Sequence, residues 1–288
     1  MEPSFDVGSE RITDVFIGQS TPERSRVSFN LQLDAEEKKE TMPCFVPFNK
    51  SLDLTFFVLR SVSVLDDEII HAMKCFSFQA EDLGCLHSSV MKSVHGNLVV
   101  WYGAWIKRSE ENRRILYNTL LSAIQDLSHL GILLQHGFYD VYAGESNDGQ
   151  PHARFSSGDA VLLCGMVPVS NDTSELSYAC MAILRSGFRK AEGSVAGACL
   201  QCRDRPMVAM LHVWKSLQAC YSWLIASDYR KTIRPYISSF INDAQFDVFR
   251  VIYVSSDDFL SCQISHKANA MRGKGECGHI DGPEKKLC

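Results

Sequence analysis

Residues 98–106 read Leu-Val-Val-Trp-Tyr-Gly-Ala-Trp-Ile, with Gly96-Asn97 before them and Lys107-Arg108 behind. On a strand, Val99, Trp101, Gly103 and Trp105 face one way and Val100, Tyr102, Ala104 and Ile106 the other. Both faces are apolar. A one-layer sheet with helices on one side leaves its second face wet, so in this chain something has to cover that face. The covering layer is expected from the second half of the chain or from the region around Val27–Leu33. Trp101 and Trp105 are accordingly read as core or lobe-seam residues. The competing reading makes them a ring platform that contacts a ligand or partner.

The flanking elements follow from local signals. Residues 52–60 form a strand, and Asp66-Asp67-Glu68 put negative charge at the start of a helix carrying Ile69, Met73 and Phe76 on one face. Residues 85–94 and 98–107 form a hairpin through Gly96-Asn97. Ser109 caps the next helix, whose stripe is Leu116, Leu120, Ile124 and Leu127, and 131–142 is a strand. The order is β-α-β-β-α-β. The second half repeats it: a strand at 160–169, a helix or strand at 174–188, a hairpin from 194–202 and 206–214, helices at 216–226 and 228–240, and a strand at 246–254. The expected fold is α+β, two ferredoxin-like lobes with mostly antiparallel sheets, and the repeated order suggests an internal duplication. Cys85/Cys199, Val94/Val208, Val99/Val213 and Tyr139/Tyr253 align it at a shift of 114.

The ends differ from the interior. Residues 1–43 are polar apart from the alternating Val27, Phe29, Leu31 and Leu33, which predict one strand at 26–33. Residues 257–288 are rich in Gly and Lys and predict a disordered tail. The lobes then cover 44–157 and 158–256. With 29 Lys and Arg against 34 Asp and Glu, the chain has no general field for nucleic acid or anionic membrane. No apolar run reaches the ~20 residues of a membrane helix, and no leader is apparent, which predicts a cytoplasmic or nuclear protein rather than a secreted one. Eleven cysteines, an odd number, predict free thiols in a reducing compartment.

The candidate motifs are sparse. Cys199-Leu200-Gln201-Cys202 is the one C-x-x-C, half of a zinc site that still needs two ligands. No cofactor is expected, with zinc at this pair as the alternative. Cys85 and His87 share a strand face, too far apart to act as a nucleophile–base pair alone. An enzyme reading therefore needs a site assembled between lobes from Cys85, His87 and His212. Arg203 and Arg205 at a hairpin tip are candidates for anion or partner contact.

The segments "CFVPFNKSLDLTFFVLR", "LGCLHSSVMKSVHGNLVVWYGAWIKRSEEN", "YDVYAGES" and "VWKSLQACYSW…SDYRKTIRPY" resemble those of a land-plant family known only as a domain of unknown function. The resemblance spans about 44 to 256 and implies a plant intracellular protein, with no catalytic residue, cofactor or partner to carry over. The function expected on these grounds is a non-enzymatic regulatory module acting through an unidentified protein partner. The alternatives are a small-metabolite sensor of ACT-like arrangement and the Cys/His enzyme.

Overall fold

A computed structural model describes residues 43–62, 67–188, 191–226 and 237–255, except the side chains of 187 and 188. The strand expected at 26–33, the tail at 257–288 and most of the helix expected at 228–240 lie outside the described residues. By its contacts the chain divides into Met1–Lys39 and Glu40–Cys288, and every described residue belongs to the second unit.

The strands are β1 (Cys44–Pro47), β2 (Leu52–Ser61), β3 (Cys85–Ser93), β4 (Leu98–Ile106), β5 (Gly131–Ser146), β6 (His152–Phe155), β7 (Ala160–Pro168), β8 (Ser194–Cys202), β9 (Val208–Trp214) and β10 (Ile241–Val254). The helices are α1 (Asp67–Asp82), α2 (Glu110–Gln125), α3 (Ser174–Ile183) and α4 (Leu217–Ala226), with one π-helical turn at Leu184–Phe188. The 174–188 segment, open between helix and strand from its sequence, is thus helical. The strand expected at 131–142 runs on to Ser146. Ser109 caps α2 by accepting from the Asn112 N–H at 3.3 Å.

Eight strands close into one barrel in the order β10-β3-β4-β2-β5-β8-β9-β7. This corrects the expectation of two separate lobes. Each half does contribute four antiparallel strands, but their edges pair with one another, β5 with β8 and β10 with β3. Closure removes the exposed sheet edges and folds the second apolar face of each sheet inward. No pair of separate sheets is left for a ligand to bind between, as the ACT-like arrangement requires.

Three buried clusters result. Inward-facing Leu54, Phe56, Tyr102, Tyr139, Leu200 and Leu211 fill the lumen. The small β1–β6 ribbon packs against the same cluster through Val46 and Phe155, and Tyr102 donates to the Phe45 carbonyl at 2.6 Å. Outside the first half, α1 and α2 cover Phe57, Leu59, Trp101 and Trp105. Outside the second half, α3 and α4 cover Leu162, Cys164, Met210 and Trp214.

The register relates the halves residue by residue. Cys85 pairs with Trp105 and Ser194 with Trp214, a shift of 109 along β3/β8 and β4/β9. The pairs Phe57–Trp101 and Cys164–Met210 give 107 along β2/β7. Leu54–Tyr139 and Val161–Phe249 give 110 along β5/β10. The seams obey the same shifts: Tyr139 opposite Cys202 corresponds to Phe249 opposite Ser93. The shift of 114 read from the sequence is therefore wrong, since it matched side chains that are not equivalent. Cys85 corresponds to Ser194, not Cys199.

Candidate functional site

The barrel buries most of the residues singled out by sequence. Trp101 and Trp105 are fully buried on the outer face of β4, where Trp101 donates to Ser77 Oγ at 2.9 Å and Trp105 to Thr55 Oγ1 at 3.0 Å. Phe76 meets the Trp101 ring edge-on at 4.8 Å between centroids. Arg203 sits in a cluster with Lys107, Asp53 and Asp140: Nε lies 3.1 Å from Asp140 and Nη1 3.4 Å from Asp53, while Lys107 Nζ is 3.0 Å from each carboxylate. Arg205 donates to the His136 carbonyl.

Cys199 and Cys202 are three positions apart on β8 and point to opposite faces, Cys199 outward and Cys202 into the lumen. One zinc ion cannot take both. Among the described residues no group of three or more His, Cys, Asp or Glu is placed to hold a metal. Cys85 lies outside the first half and His212 outside the second, so Cys85, His87 and His212 are not brought together. The Cys85 thiol donates to the carbonyls of His87 and Ala104, and burial pushes it up to about 12, which keeps it protonated at neutral pH.

What the structure does assemble is a cleft between the outer face of the second half and its helices. Leu162, Cys164, Met166, Met210 and Trp223 line it together with His212. The cavity volume is about 20 Å³, room for about one or two waters. His212 is 3% exposed and meets the Trp223 ring edge-on at 6.1 Å. Burial lowers its pKa to about 3, so the imidazole is neutral at ordinary pH. It is the one histidine of an otherwise apolar strand, Val-Ala-Met-Leu-His-Val-Trp.

At the equivalent position the first half is filled. The residue equivalent to His212 is Gly103, and Trp101 lies over it so closely that a Cβ there would stand 2.3 Å from the indole. The residue equivalent to Trp101 is Met210, and that to Phe57 is Cys164. Trp101 with Gly103 makes a solid layer; Met210 with His212 leaves space beside a polar ring. Sequence analysis nominated His212 only as a distant partner of Cys85. The neighbours that make it a site, Met210 and Cys164, carry no local signal.

A family model for a domain of unknown function, DUF7392, matches residues 137–249. That supports the resemblance over this part of the chain and leaves open whether the family is confined to plants. No curated protein matches the sequence. Among solved structures, an anthrone oxidase-like protein superposes with a TM-score of 0.62 at 12% identity, over 73% of this chain and 95% of that one. A protein of Fusobacterium nucleatum with the provisional name monooxygenase gives 0.50 at 9% identity, over 71% and 94%. A heme-degrading enzyme from Listeria monocytogenes aligns at 0.35, 9% identity, over 68% and 98%, too loosely to bear on this chain.

These likenesses overturn the expectation of a non-enzymatic module acting through protein contact. The barrel is one on which enzyme-like proteins are built. That expectation rested on missing sequence motifs, and a site made from one histidine and the loss of bulk around it has no motif to show. No described helix is long and apolar enough to cross a membrane.

Proposed function

We propose that this chain is an oxygen-dependent oxidase of small electron-rich phenols, with its substrate in the His212 cleft. The observation that carries the reading is the placement of a single buried polar side chain, His212, in a cleft that is otherwise apolar. Closed, the cleft holds one or two waters; with the half-buried Trp223 side chain swung off His212 it takes a flat apolar ring and fixes it by one hydrogen bond. The oxidase-like and monooxygenase descriptions of the similar folds support oxidation as the reaction class. Burial makes His212 a weak base, so it accepts the hydrogen bond of the intact phenol and takes its proton only as electrons leave the ring, when the oxidised phenol becomes strongly acidic. For a hydroquinone, two electrons and two protons pass to O2, giving the quinone and hydrogen peroxide. The chain supplies the proton acceptor and a dry wall of methionine, cysteine and tryptophan.

The equivalence of registers supports reading 44–157 and 158–256 as two copies of one unit, the second holding a cleft where the first is filled by Trp101. Eight free described cysteines support a reducing compartment.

The test combines oxygen uptake with methionine-methyl NMR. Hydroquinone should shift the Met166 and Met210 methyls and consume oxygen, with peroxide formed in equal amount. His212→Asn should keep the shifts and lower the oxygen rate at least tenfold. Binding without oxygen uptake, or uptake untouched by the substitution, would sink the proposal.

A further inference from the structure

The lumen holds a second cavity, formed from the inner faces of the strands and from Met207 just before β9, and separated by the sheet from the His212 cleft. Its volume is about 30 Å³. The cavity sits where the two halves face each other, because its walls come in equivalent pairs: Gln135 with Gln245, Val58 with Gly165, and Tyr139 with Phe249.

One lining residue breaks the pairing. Asp247 corresponds to Gly137, so a carboxylate enters the cavity wall from one half only. The reason lies in how each seam satisfies the same backbone N–H. In the first half the Phe138 N–H donates to Asp204 Oδ2 at 3.0 Å, a residue of the β8–β9 hairpin, and position 137 is a glycine pressed by Cys202, whose Sγ would stand 2.9 Å from a Cβ there. In the second half the equivalent Val248 N–H donates to Asp247 Oδ1 at 2.7 Å. The capping carboxylate comes from the hairpin in one seam and from the strand in the other. Only the second arrangement turns a negative charge into the lumen, beside two carboxamides and the rings of Phe56, Tyr139 and Phe249.

From this placement we infer that the barrel lumen is a binding site for a small protonated amine, its ammonium at Asp247 and its short alkyl chain among the apolar side chains. A carboxylate supplies the countercharge, the glutamine oxygens accept the remaining N–H bonds, and the aromatic faces favour a cation over a neutral group. An anion is rejected by Asp247, and a neutral chain of the same length lacks the charge-assisted bond.

n-Butylammonium is the probe and 1-butanol the neutral control of similar shape. The Met207 methyl lines the lumen, whereas Met166 and Met210 line the His212 cleft, so the two sites report separately in one methionine-methyl spectrum. Butylammonium should shift Met207 alone, at least tenfold more tightly than butanol, and Asp247→Asn should erase the difference between them. Should Asp247→Asn not fold, Gly165→Val restores the bulk that Val58 has in the first half and should weaken the amine at least tenfold. Equal binding of amine and alcohol, amine binding indifferent to Asp247→Asn, or shifts confined to Met166 and Met210 would overturn the inference. The phenol reading stands or falls on the other two methyls.

Discussion

Gly103 and His212 occupy the same position in the two halves of the barrel, each opposite the equivalent residue of the neighbouring strand: Thr55 for Gly103 and Leu162 for His212. The glycine exists because Trp101 covers it; the histidine has space because Met210 stands where the tryptophan would be. Two substitutions, at positions two apart on one strand, separate a filled layer from a cleft.

Met210→Trp combined with His212→Gly should therefore close the cleft by copying the first half, because an indole at 210 needs a glycine beneath it. Overpacking of this kind costs about 1–3 kcal/mol, and the neighbouring Cys164, smaller than its counterpart Phe57, gives some room to absorb the ring. The variant should fold, lose hydroquinone binding and oxygen uptake at least tenfold, and keep butylammonium binding in the lumen. Retained hydroquinone binding in the folded double variant would place the phenol site elsewhere.

The charge cluster at the β5–β8 seam is a structural clamp between the halves. Asp53 is fully buried, and besides Lys107 and Arg203 it accepts from the Arg108 N–H at 2.9 Å. Asp53→Asn keeps an acceptor for that N–H but leaves two cations with only Asp140 opposite them. Removing one member of a buried ion group costs about 3 kcal/mol or more, so urea unfolding should show a loss of that order. Asp140 has 14% of its side chain exposed, so Asp140→Asn should cost less. A double-mutant cycle of Asp53→Asn with Arg203→Met should show coupling above about 0.5 kcal/mol; additivity would mean that the cluster is not a unit.

How much of this was legible follows from where each signal lives. The hairpin of β3 and β4 was readable because Gly96-Asn97 and the alternation lie within twenty residues, and β-α-β-β-α-β because each element carries its own period. Closure was not, since it depends on β5 meeting β8 and β10 meeting β3, edges whose pairing leaves no local pattern. The demand that something cover both faces of 98–106 was sound, and closure met it by turning Val100, Tyr102 and Ala104 inward and Trp101 and Trp105 under the helices. The repeat was visible as an order of elements but misaligned, because four residue coincidences outweighed a register that only pairing reveals. For the site, His212 is nominated by sequence only as a partner of Cys85 and His87, from which the fold separates it, while Asp247 looks like any charged residue of a strand whose neighbours Gln245 and Phe246 give no hint of a lumen.

The cysteines divide by burial. Cys75 is exposed, while Cys44, Cys85, Cys164, Cys180, Cys199, Cys202 and Cys220 are buried. Burial pushes Cys85, Cys199 and Cys220 up to about 12, and raises Cys180 and Cys202 as well. Iodoacetamide at pH 8 attacks thiolate, so mass mapping of the described cysteines should find Cys75 modified first and at least a hundredfold faster than Cys85 or Cys199. Denaturant should equalise them. Rapid labelling of Cys199 in the native protein would mean that the second half opens far more readily than its packing implies.

Acid should unfold this protein through His212. Its folded pKa of about 3 lies below the ordinary histidine value of 6.5 because burial disfavours the charged ring. The unfolded chain therefore takes up the proton first, and stability is lost as pH falls from 6.5 toward 3. At pH 5 the loss amounts to about 2 kcal/mol, since each pH unit below the unfolded pKa contributes about 1.4 kcal/mol until the folded group titrates. Above pH 6.5 the term vanishes. His212→Phe should keep the apolar packing and flatten the stability profile between pH 7 and 5 by that amount, as read from urea midpoints at fixed ionic strength. If the wild type and His212→Phe lose stability in parallel over this range, His212 is not the buried neutral ring that the cleft requires.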